Sequence, residues 1–342
     1  MSENNNHEKC HWVGLDVAKN TFDAALVLPH QHFPSTPLHK IPTRKFKRTP
    51  EGVTKLLTWL DQKCPDHDNV RVIMEATGNY SPELALWLIE QRPTLQPAIA
   101  NPYHTSSYIK SMGVRNKTDK LEARALGFYG VERHPLPYEP PTPERAQLRE
   151  LSRCRDYLVK ESTRLKNKLK ENSDSIEVTK MFTKRLRLLK NDITRIETSM
   201  RELVETHEEL KHDIELLNTI TGIAFISAAM IIAELGDLRR FKRSRQLSAF
   251  AGMSPKHHQS GTSINGRSRL CKQGNPRVRQ GLYLSAMVTI RSNNQFQHLY
   301  QNLIAQGKAK MVALGAVMRK LLTVMRAMLI KNQTFNPMGI TR

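Results

Sequence analysis

The chain has 342 residues, enough for two or three domains, and its 39% hydrophobic and 25% charged residues are the balance of a globular protein. Apolar runs such as residues 223–233 are too short to cross a bilayer, and the polar N-terminus lacks the apolar core of a signal peptide, so we expect a cytoplasmic protein. The four cysteines form no CxxC pair and are expected to be reduced structural thiols, and neither Cys10-His11 nor His257-His258 has the further partners that a metal site requires.

The net charge of +21 is carried mainly by one end of the chain. All 32 acidic residues lie between Glu3 and Asp237, so the first 237 residues have a net charge of only +2. Residues 238–342 contain 19 lysines and arginines and no aspartate or glutamate. A ribosome-like protein or a membrane-surface protein would share this bias. Because the segment also contains polar, glycine-rich loops, we expect its polyanionic partner to be a nucleic acid.

The first part of the chain alternates predicted strands with predicted helices. Residues 11–28 have the pattern of a β-hairpin, and Thr49-Pro50 and Ser81-Pro82 are predicted to open helices. Two short strands and a further helix are predicted at residues 70–75, 96–100 and 118–129, in that order. This βαβ spacing predicts an α/β domain.

The middle of the chain carries apolar residues at heptad spacing. In its first half, Leu151, Leu158 and Leu165 recur every seven residues. In its second half the spacing alternates between four and three, through Phe182, Leu186, Leu189, Ile193, Ile196, Met200 and Leu203, with Leu210 extending the series. With a break near residues 172–175, this pattern predicts an antiparallel coiled-coil arm. The wall of a plain helical bundle is the alternative, but the narrow seam between charged faces favours an arm that dimerises.

The last region is predicted to be mostly helical, with a polar loop region over residues 253–281. Ile220-Thr-Gly-Ile-Ala224 weakly resembles a helix-hairpin-helix turn, in which glycine lets the backbone approach a phosphate. Helices are predicted at residues 246–252, 282–287 and 311–329. The predicted organisation is a disordered N-terminus (1–10), an α/β metal-binding domain (11–133), a proline-rich linker (134–143), a coiled-coil arm (144–216), a basic domain (217–332) and a tail (333–342).

Four carboxylates of the α/β domain are candidate metal ligands. Asp16 and Glu75 fall at the ends of predicted strands, where α/β folds build their sites. Asp119 and Glu122 are three residues apart on a helix and share a face. Alone, Asp16 could be a turn cap and Glu122 a solvated surface charge. Together they match a ribonuclease-H-like layout and can hold two Mg²⁺ (or Mn²⁺) ions for phosphodiester chemistry.

The polar loop region contains a candidate nucleophile, Ser260. It precedes a glycine, which allows close backbone approach, and it lies among cations that would stabilise charge developing on a phosphate. Ser254, Ser263 and Ser268 compete for this role, and loop serines more often cap turns. The candidate nucleic-acid contacts are Lys256, Arg267, Arg269, Lys272, Arg277 and Arg279. Because the basic segment lacks carboxylates, we expect the metal for Ser260 to come from the α/β domain, in a composite site that the arm could assemble between subunits.

Short motifs follow one another along nearly the whole chain, roughly residues 11–330. They are Gly14-Leu-Asp-Val-Ala-Lys19, Met74-Glu-Ala-Thr-Gly-Asn-Tyr80, Asn101-Pro102, Lys117-Thr-Asp-Lys-Leu-Glu-Ala123, Thr221-Gly-Ile223, Phe250-Ala-Gly-Met-Ser-Pro255, Gln259-Ser-Gly261 and Lys272-Gln-Gly-Asn-Pro-Arg277. In this order they strongly resemble the DEDD transposases of bacterial insertion sequences, which are similar to the Piv pilin-gene invertase.

The resemblance implies a RuvC-like N-terminal domain, a coiled-coil arm and a C-terminal transposase domain. It implies that Asp16, Glu75 and Asp119 fill the first three acidic positions and that Ser260 becomes covalently linked to a DNA phosphate. It also implies a structured bridge RNA that pairs with donor and target DNA, and a tetramer on two DNA duplexes. We expect a homo-oligomer, from dimer to tetramer, that is nucleoid-associated when active. The family has aspartate at the fourth position, where this chain has Glu122, which moves the carboxylate by about one bond length.

Three functions are therefore weighed. The first, which we favour, is a metal-dependent serine recombinase that mobilises an insertion sequence. The second is a junction-resolving nuclease that uses metal-activated water and no serine. The third is a non-catalytic nucleic-acid-binding protein. A covalent adduct that depends on Ser260 separates the first from the second, and dependence on Mg²⁺ separates both from the third.

Overall fold

A computed structural model describes residues 10–64, 69–113, 118–171, 175–260, 264–292 and 294–336. The chain divides into two compact units, Met1–Pro140 and Pro141–Arg342. Within the described ranges, no helix is both long enough and apolar enough to span a bilayer.

The first unit is built on a five-stranded mixed sheet with the strand order β3-β2-β1-β4-β5. Its strands are β1 (His11–Val17), β2 (Thr21–Val27), β3 (Thr43–Lys47), β4 (Val70–Glu75) and β5 (Ala98–Ala100). Strand β2 runs antiparallel to both β1 and β3, whereas β4 and β5 run parallel to β1. The helices are α1 (Pro50–Lys63), α2 (Tyr80–Gln91), α3 (Pro102–Ser111) and α4 (Asp119–Arg133). This mixed α/β topology agrees with the predicted ribonuclease-H-like layout.

Capping side chains set where the helices of this unit begin. Thr49, Asn101 and Thr118 accept hydrogen bonds from first-turn amides of α1, α3 and α4. Ser81, predicted to cap α2, instead lies within that helix. Its buried hydroxyl donates to the carbonyl oxygen of Glu75 at 2.6 Å, so it stabilises the turn after β4. Strand β3 has no counterpart among the predicted strands, because four of its five residues are polar or charged, as is common for an exposed edge.

Helix α4 lies directly on β1, because a glycine occupies the point of contact. A Cβ added at Gly14 would lie 2.0 Å from the carbonyl oxygen of Ala123 and 2.3 Å from the amide nitrogen of Gly127. Any side chain at position 14 would therefore push α4 off the sheet. The close packing brings the first turn of α4 near Asp16 at the end of β1.

The second unit is mostly helical and contains one two-stranded sheet. Its elements are α5 (Pro143–Glu171), α6 (Ile176–Glu205), α7 (Glu208–Asn218), α8 (Phe225–Leu235), α9 (Ser244–Phe250), β6 (Pro255–Ser260), β7 (Ile264–Leu270), α10 (Pro276–Ser292), α11 (Asn294–Ala305) and α12 (Lys310–Lys331). The core is formed mainly by α7, α8, α10 and α12, with buried residues from α5 and α6 packed against them.

Helices α5 and α6 form an antiparallel pair. Arg155 pairs with Glu197 at 2.6 Å, and Glu161 pairs with Arg185 at 3.0 Å, so later positions of α5 face earlier positions of α6. Most apolar residues of the predicted seam are only half-buried within this chain. Leu210 continues the spacing of that seam in the sequence, but it lies in α7 and is buried in the core.

The structure adds detail to three predicted segments of the second unit. The predicted polar loop region contains the β6–β7 hairpin. The Thr221-Gly222 turn packs against α10, where the hydroxyl of Thr289 donates to the carbonyl oxygen of Thr221 at 3.1 Å. In the predicted tail, Phe335 stacks on Phe296 with ring centroids 5.9 Å apart. Residues 337–342, like residues 1–9 of the predicted disordered N-terminus, lie outside the described residues; Cys10 is buried.

Candidate active site

The sheet of the first unit brings acidic side chains together at the end of the sheet where β1 and β4 finish. Leu15 and Met74 are the last paired residues of the parallel strands β1 and β4, and each is followed by a carboxylate, Asp16 or Glu75. On the other side of β1, Asp16 lies opposite Asp23 of β2. Residues directly opposite one another on neighbouring strands point to the same face, so these carboxylates share the face that α4 covers.

Asp16 is the centre of this cluster. Its pKa is raised from 3.8 to about 7, chiefly by burial and then by the negative charges of Glu122, Asp119, Asp23 and Glu75, in that order of size. The three other predicted ligands therefore lie within electrostatic reach of Asp16. They are joined by one carboxylate that the sequence pattern does not single out, Asp23.

Glu75 is held in position by two neighbours. Its Oε2 atom accepts a hydrogen bond of 2.5 Å from the hydroxyl of Thr105, a fully buried residue of α3. Its backbone carbonyl oxygen accepts a hydrogen bond from the hydroxyl of Ser81. These two hydrogen bonds fix both the backbone and the carboxylate of Glu75 at the end of β4.

The cluster has the chemistry of a divalent metal site. Its donors are all carboxylate oxygens, which Mg²⁺ and Mn²⁺ prefer. In the described part of the chain, no three His, Cys, Asp or Glu side chains are close enough to ligate one ion, so side chains would have to rotate to enclose it. The Oδ1 atom of Asp23 is buried and has no hydrogen-bond partner among the described residues, which is costly for a carboxylate. A nearby cation would remove that cost, so the residues fit such an ion.

In the second unit, Ser260 ends strand β6 and pairs with Ile264 of β7. Residues 261–263, which join the strands, lie outside the described residues, as do the side chains of residues 256–260 and 264–269. At the base of the hairpin, the amide of Cys271 donates to the carbonyl oxygen of Ser254 at 2.8 Å. Gly252 precedes this base with a φ of +69°, and a Cβ there would meet the backbone of Gly274 at 2.7 Å.

The six predicted nucleic-acid contacts fall into two groups. Lys256, Arg267 and Arg269 lie on the hairpin strands, and Lys272 is exposed at their base. The other two make contacts within the protein. Arg277 pairs with Asp156 of α5 at 2.6 Å, and the guanidinium of Arg279 donates to the carbonyl oxygen of Gly274 at 2.8 Å. Arg279 therefore contacts the backbone at the base of the hairpin, and Arg277 joins α10 to α5, contacts that local sequence does not reveal.

Glu234 of α8 is a buried anchor for the same region. Its carboxylate, 1% exposed, accepts two hydrogen bonds from Arg153 of α5, at 2.7 and 2.9 Å. It accepts a third, at 2.7 Å, from the side-chain amide of Asn275, whose Oδ1 atom caps α10. Burial acts to raise the pKa of Glu234, but the hydrogen bonds from Arg153 and Asn275 outweigh it and lower the pKa.

This anchor corrects one expectation from the sequence. The segment after Asp237 has no carboxylate, but it folds together with residues 141–237, so the predicted basic domain (217–332) does contain a buried one. Glu234 is fully engaged by protein donors, which leaves it unsuited to metal. The second unit as a whole has 36 basic and 17 acidic residues, a net charge of +19, against +2 for the first unit. The charge bias is therefore a property of one folded unit.

Two family models match the chain. One, of the DEDD type and described as a transposase, matches residues 13–177. The other, described as the transposase IS116/IS110/IS902 family, matches residues 214–301. The first match contains all four candidate ligands, and the second contains Ser260 and the six candidate cations.

Three curated relatives match over most of their length. The chain is 31% identical to a pilin gene-inverting protein of Moraxella bovis over 95% of this chain and 97% of the relative. It is 30% identical, with the same coverage, to the pilin gene-inverting protein of Moraxella lacunata. It is 26% identical to a transposase for the insertion sequence element IS1111A of Coxiella burnetii, over 77% of this chain and 79% of that protein.

Proposed function

The chain belongs to the IS116/IS110/IS902 family of transposases, and we propose that it mobilises an insertion sequence by cutting DNA, holding the cut end covalently and joining it to a new partner. It is a DNA transposase or recombinase, and the DEDD-type match implies that it depends on a divalent metal ion. The observation that supports the proposal best is the cluster of carboxylates around Asp16 at one edge of the sheet.

We assign the metal centre to Asp16, Glu75, Asp119 and Glu122, with Mg²⁺ or Mn²⁺ as the ion. Bound there, the ion would offset negative charge as it builds up on a phosphate under attack. The protein supplies the rest. Close packing of α4 at Gly14 sets the position of the helix that carries two ligands, and Thr105 orients a third. Glu122 is the longer carboxylate at the fourth position, and the proposal requires its extra methylene to be tolerated.

The covalent step is assigned to Ser260. Its hydroxyl oxygen forms a bond to the phosphorus of a DNA phosphodiester, and the bond from that phosphorus to one deoxyribose oxygen breaks. The serine proton passes to solvent and the departing oxygen leaves as a hydroxyl after taking up a proton. Attack by a DNA hydroxyl on the phosphoserine then reverses these bond changes with a new partner strand. The proposed chemistry requires both the carboxylates and Ser260.

The charge and the helices of the second unit support two further proposals. The +19 charge of this unit favours binding to polyanions, and we propose that donor DNA, target DNA and a structured bridge RNA bind it. We further propose that the chain works as a homo-oligomer, a dimer or tetramer, assembled through α5 and α6 as a coiled-coil arm. The half-buried seam supports this assembly, as do the exposed apolar side chains Tyr157, Ile176, Met181 and Leu188.

The decisive experiment is to trap the covalent intermediate. Wild-type protein is incubated with labelled DNA carrying the element's ends, its flanking non-coding RNA and Mg²⁺, and adducts that resist detergent are counted. Ser260→Ala is expected to abolish the adduct while leaving DNA and RNA binding intact. Ser268→Ala, a serine on the facing strand, is the matched control and should retain it.

Each other outcome selects a different function. An adduct that persists in Ser260→Ala contradicts the assignment of the nucleophile. Cleavage that needs Mg²⁺ and Asp16 but yields no adduct in the wild type indicates a nuclease that uses water. Normal behaviour of Asp16→Ala and Glu75→Ala, with no response to Mg²⁺, indicates a protein that only binds nucleic acid. Omitting the RNA tests guidance separately, because target choice is expected to be lost without it.

A further inference from the structure

A row of charged side chains crosses three strands beside the proposed metal centre. Asp16 of β1 lies opposite Asp23 of β2, and Asp23 lies opposite Lys45 of β3. Directly opposed residues on neighbouring strands have their Cβ atoms about 5 Å apart and point to the same face. Asp23 and Lys45 are therefore built into the same face of the sheet as Asp16, although neither belongs to the four acidic positions assigned above.

Asp23 is a buried carboxylate with too few partners. Its side chain is 2% exposed, its Oδ2 atom is 3.1 Å from Nζ of Lys45, and its Oδ1 atom is buried without a hydrogen-bond partner among the described residues. Taking a carboxylate out of water is costly unless both oxygens are satisfied. A single half-exposed ammonium group satisfies only one of them. A further positive charge near the Oδ1 atom of Asp23 would therefore stabilise this buried carboxylate.

Lys45 links this buried carboxylate to a proposed metal ligand. Its Nζ atom is also 3.4 Å from the Oδ2 atom of Asp119, whose side chain is 64% exposed. The ammonium group thus lies between an acid fixed in the sheet and an acid at the first turn of α4. Its positive charge is attached to a side chain that is itself 50% exposed, so it can swing away without disturbing the fold.

We propose that Asp23 is a fifth carboxylate of the metal centre, and that Lys45 is its tethered counter-ion, which a divalent ion displaces from Asp119. This inference rests on the proposed metal centre. Asp23 contributes charge and its unsatisfied oxygen, directly or through a metal-bound water. Lys45 keeps Asp119 close to the sheet until the ion arrives and competes with that ion for the same carboxylate.

The two roles predict opposite effects on metal affinity. Lys45→Met removes the competing charge and keeps the aliphatic stem, so Mg²⁺ should bind more tightly, by roughly three- to ten-fold. Asp23→Asn removes negative charge from the centre and should weaken binding by about 10- to 100-fold, as loss of a supporting carboxylate does in other metal sites. In the double variant, the effect of Asp23→Asn should persist, because Asp23 acts on the metal itself.

The test is calorimetric titration of the full-length chain with MgCl₂ in the absence of nucleic acid. The variants are the wild type, Lys45→Met, Asp23→Asn and the double variant, each checked for unchanged circular dichroism and thermal unfolding in EDTA. Lys47→Met is the matched control, an exposed lysine two residues along the same strand, and should leave affinity unchanged. Electron paramagnetic resonance with MnCl₂ gives a second readout that does not depend on heat.

The outcomes separate this inference from the function on which it rests. An affinity of Lys45→Met within two-fold of the wild type overturns the role of Lys45. Loss of the Asp23→Asn effect in the Lys45→Met background overturns the fifth carboxylate, since Asp23 would then act only as an anchor for the lysine. If Asp16→Asn binds Mg²⁺ as well as the wild type, the proposed metal centre itself fails.

Discussion

Replacing Glu234 by alanine would measure how the serine hairpin is anchored. The substitution removes a carboxylate that is 1% exposed and deletes three hydrogen bonds, two from Arg153 and one from Asn275, all between 2.7 and 2.9 Å. Loss of one partner of a buried ion pair costs about 3–5 kcal/mol, because the other charge is left without compensation. Since Arg153 is 43% exposed and can turn toward water, we expect a value near the lower end, about 3 kcal/mol.

The assay is urea unfolding of the purified protein, followed by far-ultraviolet circular dichroism. The matched control is Glu205→Ala. Glu205 is 63% exposed and pairs with Lys211 at 2.8 Å, and an exposed pair of this kind contributes about 0–1 kcal/mol. The adduct assay should show a loss in Glu234→Ala, because Asn275 no longer fixes the base of the hairpin, while Mg²⁺ binding is retained. A destabilisation below about 1 kcal/mol, equal to that of the control, would refute the reasoning.

Other predictions concern the first unit and the charge. Gly14→Ala should weaken Mg²⁺ binding at least about ten-fold and destabilise the fold by roughly 1–3 kcal/mol, because the new Cβ collides with the backbone of α4; an unchanged affinity in calorimetry would contradict this. In EDTA, the raised pKa of Asp16 stabilises the fold fully below about pH 3.8, and this contribution is lost as the pH rises to about 7. Allowing for solvent screening, the loss should be roughly 2 kcal/mol, and Asp16→Asn should abolish that part of the pH dependence in denaturation curves. Thr105→Val should lower Mg²⁺ affinity by freeing Glu75 to rotate, whereas Thr105→Ser should restore it. DNA binding measured by fluorescence anisotropy should fall steeply as salt rises, and a flat response would contradict the charge argument.

Much of the first unit could be predicted from local sequence. The strand of Val70–Glu75 and the hairpin that contains Asp16 are confirmed, because their apolar runs and turn residues act over a few positions. The placement of Asp119 and Glu122 in the first turn of one helix is confirmed for the same reason. Strand β3 was not predicted, because the sequence of a charged edge strand has the same polar pattern as a loop and only its pairing with β2 distinguishes it.

Other features could not be predicted, because they join distant parts of the chain. Glu234 looks like an isolated acid in an apolar helix, but its partners Arg153 and Asn275 are 81 and 41 residues away. Arg277 is predicted from local sequence to contact a phosphate, and only the tertiary structure reveals its ion pair with Asp156, 121 residues earlier. The role of Ser260 stays a prediction, because only its backbone pairing is described.

The sequence by itself determined the residue types, the order of the four acidic positions and the confinement of excess charge to residues 238–342, since these need no knowledge of the fold. It also determined helix starts such as Thr118, because a cap acts on amides within its own turn. Only the tertiary structure decided which charges meet. Strand register put Asp23 between Asp16 and Lys45, and burial turned those neighbours into a coupled cluster. Electrostatic coupling depends on distance and burial, and the spacing of residues along a chain determines neither of them.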